Sequence, residues 1–411
     1  MLTALPGRDQ TPQAWLSDAL AAVSRIPVDR TPLVWGFSPF YSGNPFQAVL
    51  YGSFPDLGMV AAPAFRPAHI DAMTRGWPHD LPLVVHLHWL NQVLSRVTTA
   101  QEAQTAADEH EEMLDRLIAR GARLVWTVHN VLPHDTQYEA YEVALRRAVA
   151  DRAELIHVMS PRTPELLAPW LSLPADRLYH CDHPGYQGVY PDWITRDDAR
   201  RRLRIPDASV ALLLTGALKP YKGMSELLSA VQQVNRERPG AVTLIVAGKP
   251  DDASETARFV QRAIHEPAVR LLPGKIPESD IQVLMRAADV VALPYRRSLN
   301  SGVLALGLSF GRPALLPSGS GSVPLLTGTD AAIVYDEDAP DGLTDAVRSC
   351  LTADLDRAFT AAAEAGQRID RARVTRRFAE DMREWAFSGT IPKSQMTQNE
   401  QAPEAPEAVT A

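Results

Sequence analysis

Residues Val210–Val234 read VALLLTGALKPYKGMSELLSAVQQV, and this stretch decides the fold. A run of aliphatic residues up to Thr215 has the character of a buried strand, and the apolar positions after Gly223 recur with helical spacing. The turn between them carries Gly216, where the backbone can bend closely, two cations at Lys219 and Lys222, and a second glycine, Gly223. A strand that ends in a glycine turn and feeds a helix is the unit of a parallel α/β sheet, and ligands in such sheets bind beyond the C-terminal strand ends. Two lysines beside free helix-start amides suit a diphosphate. The plainer reading is a solvated lysine pair in a turn. The segment is not GxxxxGK[ST], so a P-loop nucleoside triphosphatase is excluded.

The same rhythm extends both ways. Downstream, 242–247, 269–272, 290–293 and 314–316 read as strands, with helices between them such as 225–234 and 279–287. Upstream, 33–37, 83–89, 124–129 and 155–160 are strands, separated by helical stretches such as 100–120 and 138–152. The segment HCDHPGYQGVYPDW, 180–193, breaks the pattern and marks a junction. The expectation is an α/β protein of two Rossmann-like, doubly wound domains facing across a cleft. Residues 1–183 form the first and 184–373 the second, with a crossover helix at 374–389 and a disordered tail at 390–411.

Composition is that of an ordinary soluble globular protein, and the low cysteine count fits a reducing cytoplasm. The chain has 411 residues, 45% hydrophobic and 22% charged, with a formal net charge of −8, so no global positive field attracts nucleic acid. Two cysteines far apart argue against a disulfide framework. The first residues lack the pattern of a secretory signal, and the longest charge-free stretch is broken by Pro, Gly and Ser. Membrane contact is expected to be peripheral at most, through arginines such as Arg146, Arg147 and Arg152 or Arg200, Arg201 and Arg202.

Other post-strand loops add chemistry. In LPYRRSLNSGVLALGLSFGRP, 293–313, Asn300 or Ser301 caps an apolar helix starting near Gly302, with Arg296 and Arg297 beside it. In VVHLHWLN and WTVHNVLPHD the strand ends carry His86, His88, His129 and His134, followed by Asp135. Imidazole or carboxylate there can accept a proton near neutral pH, although single histidines are usually structural. HCDH, 180–183, offers metal-ligand types, but alternate residues on a strand face opposite ways and no partner motif accompanies them, so no metal site is expected. SGSGS, 318–322, does not complete GxGxxG.

Taken in order, NPFQAVLYGSFPD from Asn44, HLHW from His86, TVHNVLPHD from Thr127, KPYKG from Lys219 and the 293–313 segment resemble the GT-B glycosyltransferases. More narrowly, they are similar to the bacterial exopolysaccharide β-mannosyltransferases of the xanthan-assembly type. The resemblance spans nearly the whole chain to about Phe387. It implies a nucleotide-sugar donor in the C-terminal domain, with Lys219 and Lys222 on the diphosphate and the Asn300–Gly302 turn near the phosphates or sugar. It further implies His129 beside the donor sugar and a glycan or lipid-linked saccharide acceptor in the N-terminal domain, at the inner face of the cell membrane.

The common retaining subgroup carries two glutamates, eight positions apart, where this chain has Ser298 and Leu306. That departure favours inversion with a general base from the N-terminal domain. His134 and Asp135 are the leading candidates and His88 the next. GDP-mannose is the donor the resemblance suggests, with no cofactor beyond this co-substrate and no required metal. A retaining transferase with another nucleotide sugar, a nucleotide-sugar 2-epimerase and a silent sugar-nucleotide-binding partner are the rival readings.

Overall fold

A computed structural model describes residues 11–132 and 137–393. Two six-stranded, wholly parallel sheets organise it. The first comprises β1 (Leu33–Ser38), β2 (Met59–Pro63), β3 (Leu83–Leu87), β4 (Arg123–Thr127), β5 (Leu155–Val158) and β6 (Leu178–His180), in the order β2-β1-β3-β4-β5-β6. The second comprises β7 (Val210–Thr215), β8 (Val242–Gly248), β9 (Val269–Pro273), β10 (Val290–Ala292), β11 (Ala314–Pro317) and β12 (Ala332–Tyr335), in the order β12-β11-β10-β7-β8-β9. Strands buried on both faces need apolar residues at every position, which is why the central ones read as continuous hydrophobic runs. β1, β3 and β8 are buried throughout.

Both sheets reverse direction at one place. In the second, the chain builds outward from β7 to β8 and β9, then returns to add β10 on the other side of β7. In the first, β2 and β3 flank β1. Such switch points open a crevice above the carboxyl ends of the strands. The loops after β1, β3, β4, β7 and β10 therefore face one another.

Contacts between the halves hold this arrangement. Ser160 Oγ donates to the Gly321 carbonyl at 2.5 Å, Arg162 Nη1 to the Ser318 carbonyl at 2.8 Å, and Asn300 Nδ2 to the His129 carbonyl at 3.3 Å. The Arg297 guanidinium lies over the Trp170 ring, 5.4 Å from its centroid. The passage between the sheets runs through 181–195 and is pinned by Gly185 N–H to the Ile369 carbonyl at 2.7 Å and Tyr186 N–H to Ser309 Oγ at 2.8 Å.

The helix Arg371–Ser388 carries the chain back to the first domain. Its apolar face, Val374, Phe378, Met382 and Trp385, joins the core that contains Trp35, Tyr51 and Phe54, with Phe378 stacked on Phe54 at 6.1 Å. It was expected to pack across both domains; its buried face belongs to the first. Residues 390–393 of the expected tail are described, with Ile391 against the same core, and 394–411 lie outside the described residues.

Of the arginines named as membrane candidates, Arg147 is exposed and the other five form ion pairs within the fold. Arg146 is buried in an ion pair with Glu142, and Arg200 is buried against Asp289 at 3.0 Å. Arg152 pairs with Glu111 and Asp115, Arg201 with Asp198 and Arg202 with Asp280. Among the described residues no helix is long and apolar enough to cross a membrane.

Candidate active site

A cleft of about 550 Å³ lies between the domains, lined from one side by the loops after β1, β3 and β4 and from the other by those after β7 and β10. Lys222 is its buried cation. A 3-10 turn, Pro220–Lys222, brings the side chain under the end of β7, where Nζ donates to the Thr215 carbonyl at 2.8 Å and sits 5.2 Å from the Tyr295 ring centroid. The residue is only 4% exposed. Burial, and then the neighbouring Lys219 charge, push its pKa down to about 7. An ammonium so desolvated gains strongly from an anion brought into contact with it.

The two glycines around it are there for steric reasons. Gly216 has φ +93°, and a Cβ there would lie 2.7 Å from Lys222 Nζ. Gly223 has φ +65° and a Cβ would run into the Pro294 carbonyl. Side chains at either position would displace the lysine or the strand-end loop.

Across the loop, Ser301 is the N-cap: its Oγ accepts from Leu304 N–H at 3.2 Å and starts the helix Gly302–Ser309. The first-turn amides of Gly302 and Val303 belong to cleft-lining residues. Ser298 and Leu306 line the cleft as well, so the positions where the common retaining subgroup has glutamates are here a hydroxyl and an alkyl group facing the ligand space.

Not every expected residue reaches the cleft. Arg296 is exposed and turned into an ion pair with Glu226, whereas Arg297, held at φ +57°, lines the cleft in its place. Gly223 and Lys219 are not among the lining residues; the Lys219 charge acts on Lys222. His88 is 1% exposed, with Nε2 2.6 Å from Tyr51 Oη and Nδ1 2.9 Å from His129 Nε2. Both nitrogens are engaged inside the domain, so His88 cannot itself touch an acceptor hydroxyl. His134 and Asp135 lie outside the described residues.

His129 does line the cleft, its ring stacked on Trp89 at 4.0 Å and met edge-on by Phe46 at 5.2 Å. His183, Tyr186 and Tyr295 complete an aromatic wall that was not expected. Tyr295 Oη is buried, and the face of its ring lies 5.2 Å from Lys222 Nζ. The HLHW and LPY motifs contained Trp89 and Tyr295 directly after their strands, which was the available signal. Within HCDH, His180 and Asp182 approach to 3.4 Å while His183 turns to the cleft, and among the described residues no three His, Cys, Asp or Glu side chains are grouped to hold a metal.

The buried histidines make a pH prediction. Burial holds His86 and His88 well below the ordinary range and His157 at about 4, whereas unfolded histidine titrates near ~6.5. Between those values the unfolded chain binds more protons than the folded one. Stability is therefore lost as pH falls through this window, by up to about 1.4 kcal/mol per pH unit for each histidine. Urea midpoints should drop steeply from pH 6.5 to 4.5; equal midpoints would contradict neutral burial.

Two Rossmann-like domains facing across a cleft make the GT-B fold, and this chain is a glycosyltransferase of that fold. Residues 209–353 match the family model described as glycosyl transferases group 1. The chain is 26% identical over 310 residues to the GDP-mannose:glycolipid 4-β-D-mannosyltransferase of Xanthomonas campestris pv. campestris, covering 72% of this chain and 78% of that one. It is also 26% identical over 163 residues to the D-inositol 3-phosphate glycosyltransferase of Corynebacterium glutamicum, 38% of each chain. Among solved structures, sucrose-phosphate synthase from Thermosynechococcus elongatus superposes with a TM-score of 0.67 at 15% identity, covering 86% of this chain and 98% of that one. Anabaena HepE in complex with UDP-glucose gives 0.59 at 18% identity, covering 86% and 99%. These superpositions concern the fold.

Proposed function

We propose that this enzyme transfers a hexose, mannose from GDP-mannose in the first instance, to a lipid-linked saccharide at the membrane surface, with inversion and without a metal. The observation that carries the donor half is Lys222, a desolvated cation at the switch point of the second sheet. With the amides of Gly302 and Val303 it meets the diphosphate as negative charge develops on the leaving oxygen. Asn300 and Ser301 hold the turn in place, and Gly216 gives the phosphates room. The Xanthomonas relative supports the choice of GDP-mannose and a glycolipid acceptor.

Ser298 and Leu306 support inversion, since neither can hold a donor sugar as a carboxylate would. The attacking hydroxyl then needs a base from the N-terminal domain. Its binding space is a groove of about 1060 Å³ in that domain, which shares the Trp89 ring with the cleft. Ser38 Oγ, His69 Nδ1 and His110 Nε2 are buried there without hydrogen-bond partners, beside apolar Leu90 and Met113. Polar side chains such as Gln92 and Arg96 beside that apolar wall suit a glycan attached to a lipid.

Calorimetry of the purified protein with GDP, UDP, ADP and their sugar conjugates, with and without EDTA, tests the donor assignment. Selective, EDTA-insensitive binding of GDP or GDP-mannose is expected. Binding of UDP-sugars alone would overturn the mannose assignment, for which the UDP-glucose complex of HepE is the precedent. Loss of binding in EDTA would overturn metal independence.

A further inference from the structure

A chain of hydrogen bonds runs through the core of the first domain and surfaces at His129. Each contact has room for one proton, and the chemistry of its fixed members settles where every proton sits. The Cys181 carbonyl only accepts, so His157 Nε2, 3.0 Å away, carries a hydrogen and His157 Nδ1 is bare. Thr127 Oγ1 therefore donates to that Nδ1 at 2.9 Å and accepts from His86 Nε2–H at 2.7 Å. His86 Nδ1 is then bare. The Trp35 indole, a donor only, points Nε1–H at the same atom at 3.1 Å, so that the single lone pair there is shared between Trp35 and any second donor.

The direction now propagates outward. Tyr51 Oη lies 2.8 Å from the bare His86 Nδ1 and 2.6 Å from His88 Nε2. Were Tyr51 to give its hydrogen to His88, the shorter 2.8 Å contact would hold no hydrogen and the His86 Nδ1 lone pair would have only the longer 3.1 Å bond from Trp35. Tyr51 therefore donates to His86 and accepts from His88 Nε2–H. His88 Nδ1 is left bare, and its partner at 2.9 Å, His129 Nε2, must carry the hydrogen. The ring nitrogen of His129 that a cleft ligand can use is then Nδ1, as a lone pair.

We propose that Tyr51 and His88 are positioning residues that fix neutral His129 as its Nε2–H tautomer, so that His129 Nδ1 accepts the proton of the attacking acceptor hydroxyl. The catalytic role of His129 rests on the inverting reading above; the tautomer does not. In the step, the acceptor O–H bond breaks and its proton goes to Nδ1. The oxygen bonds to the anomeric carbon, and the bond from that carbon to the diphosphate breaks with its electron pair leaving on the diphosphate, opposite Lys222. The opposite tautomer would present an N–H to the hydroxyl and could not take its proton. Burial, together with neighbouring His88, His157 and His183, also keeps the ring neutral.

Long-range proton–nitrogen NMR of the whole protein with labelled histidine reads the tautomer without any substrate, and His129 is assigned by the signal lost in His129→Gln. A protonated Nε2 and bare Nδ1 are expected; the reverse overturns the proposal. Tyr51→Phe should give His129 mixed tautomers and lower kcat about two- to fivefold, with donor Kd within about twofold, because only part of the population is competent. An unchanged tautomer in Tyr51→Phe also overturns it. Thr127→Val should leave His129 as it was, since Trp35 still holds His86 Nδ1 as an acceptor. Should Tyr51→Phe not fold, the wild-type spectrum still decides. A correct tautomer with full activity in His129→Gln would overturn the catalytic role alone and leave the chain standing.

Discussion

Lys222→Ala is expected to lower kcat about 100-fold with the fold intact. Preorganised charge aimed at a leaving group contributes ~10²–10³ in rate when a single donor is removed, and Lys222 sits where water competes least, 4% exposed beneath the aromatic rim. The substitution leaves the Thr215 carbonyl without its lysine donor, but the space vacated by the side chain, which opens on the cleft, can hold a water in its place. Stability should change little because a buried, desolvated ammonium is itself costly. Lys222→Arg should restore only part of the loss, since the pocket walled by Gly216 is sized for an ammonium. Rate loss without loss of thermal stability confirms the role; near-normal turnover would remove this loop from the reaction.

The largest stability effect belongs to a residue far from the chemistry. Arg200 and Asp289 are 2% and 1% exposed. The carboxylate takes Arg200 at 3.0 Å, Arg196 at 2.6 Å and the Ala211 N–H at 2.8 Å, and Arg200 also donates to the carbonyls of Pro206 at 2.8 Å and Ser209 at 2.6 Å. Arg200→Met strands a buried carboxylate on one remaining arginine and takes the arginine donor from the Ser209 carbonyl, while the Pro206 carbonyl keeps the Ser209 N–H. The expected cost is about 3–5 kcal/mol in unfolding free energy. This network ties the helix Arg196–Arg202 to the N-terminal ends of β7 and β10, the edge opposite the cleft. Donor affinity of the folded variant should therefore be unchanged. A loss below about 1 kcal/mol by urea titration would show that the pair is not carrying the junction.

What could be read from the residues followed burial. Central strands such as β7 and β8 announce themselves because both faces are covered, and every strand recognised in advance except β9 is an interior one. β2, β6 and β12 went unrecognised, and all three are sheet edges. β2 is Met-Val-Ala-Ala-Pro and β6 only three residues long. Edges are shorter and patterned less strictly because they pair on one side alone.

Site residues divided along another line. Loops could be assigned to the cleft from topology, since a residue that follows a parallel strand must lie at its carboxyl end. The direction of each side chain could not. Arg296 and Arg297 are adjacent, and the positive φ of Arg297 decides which one faces the ligand. His88 stood at the right strand end, but its ring turns inward to Tyr51, a residue separated from it by 37 positions. Tyr186 reaches the cleft from the junction, a stretch with no periodicity to place it.

The most direct test of inverting hexosyl transfer is the configuration of the new glycosidic bond, read by NMR on the product formed from GDP-mannose and a lipid-linked saccharide acceptor. The α-linked donor should give a β-linked product. An α-linked product would contradict inversion, and with it any need for a proton acceptor at His129.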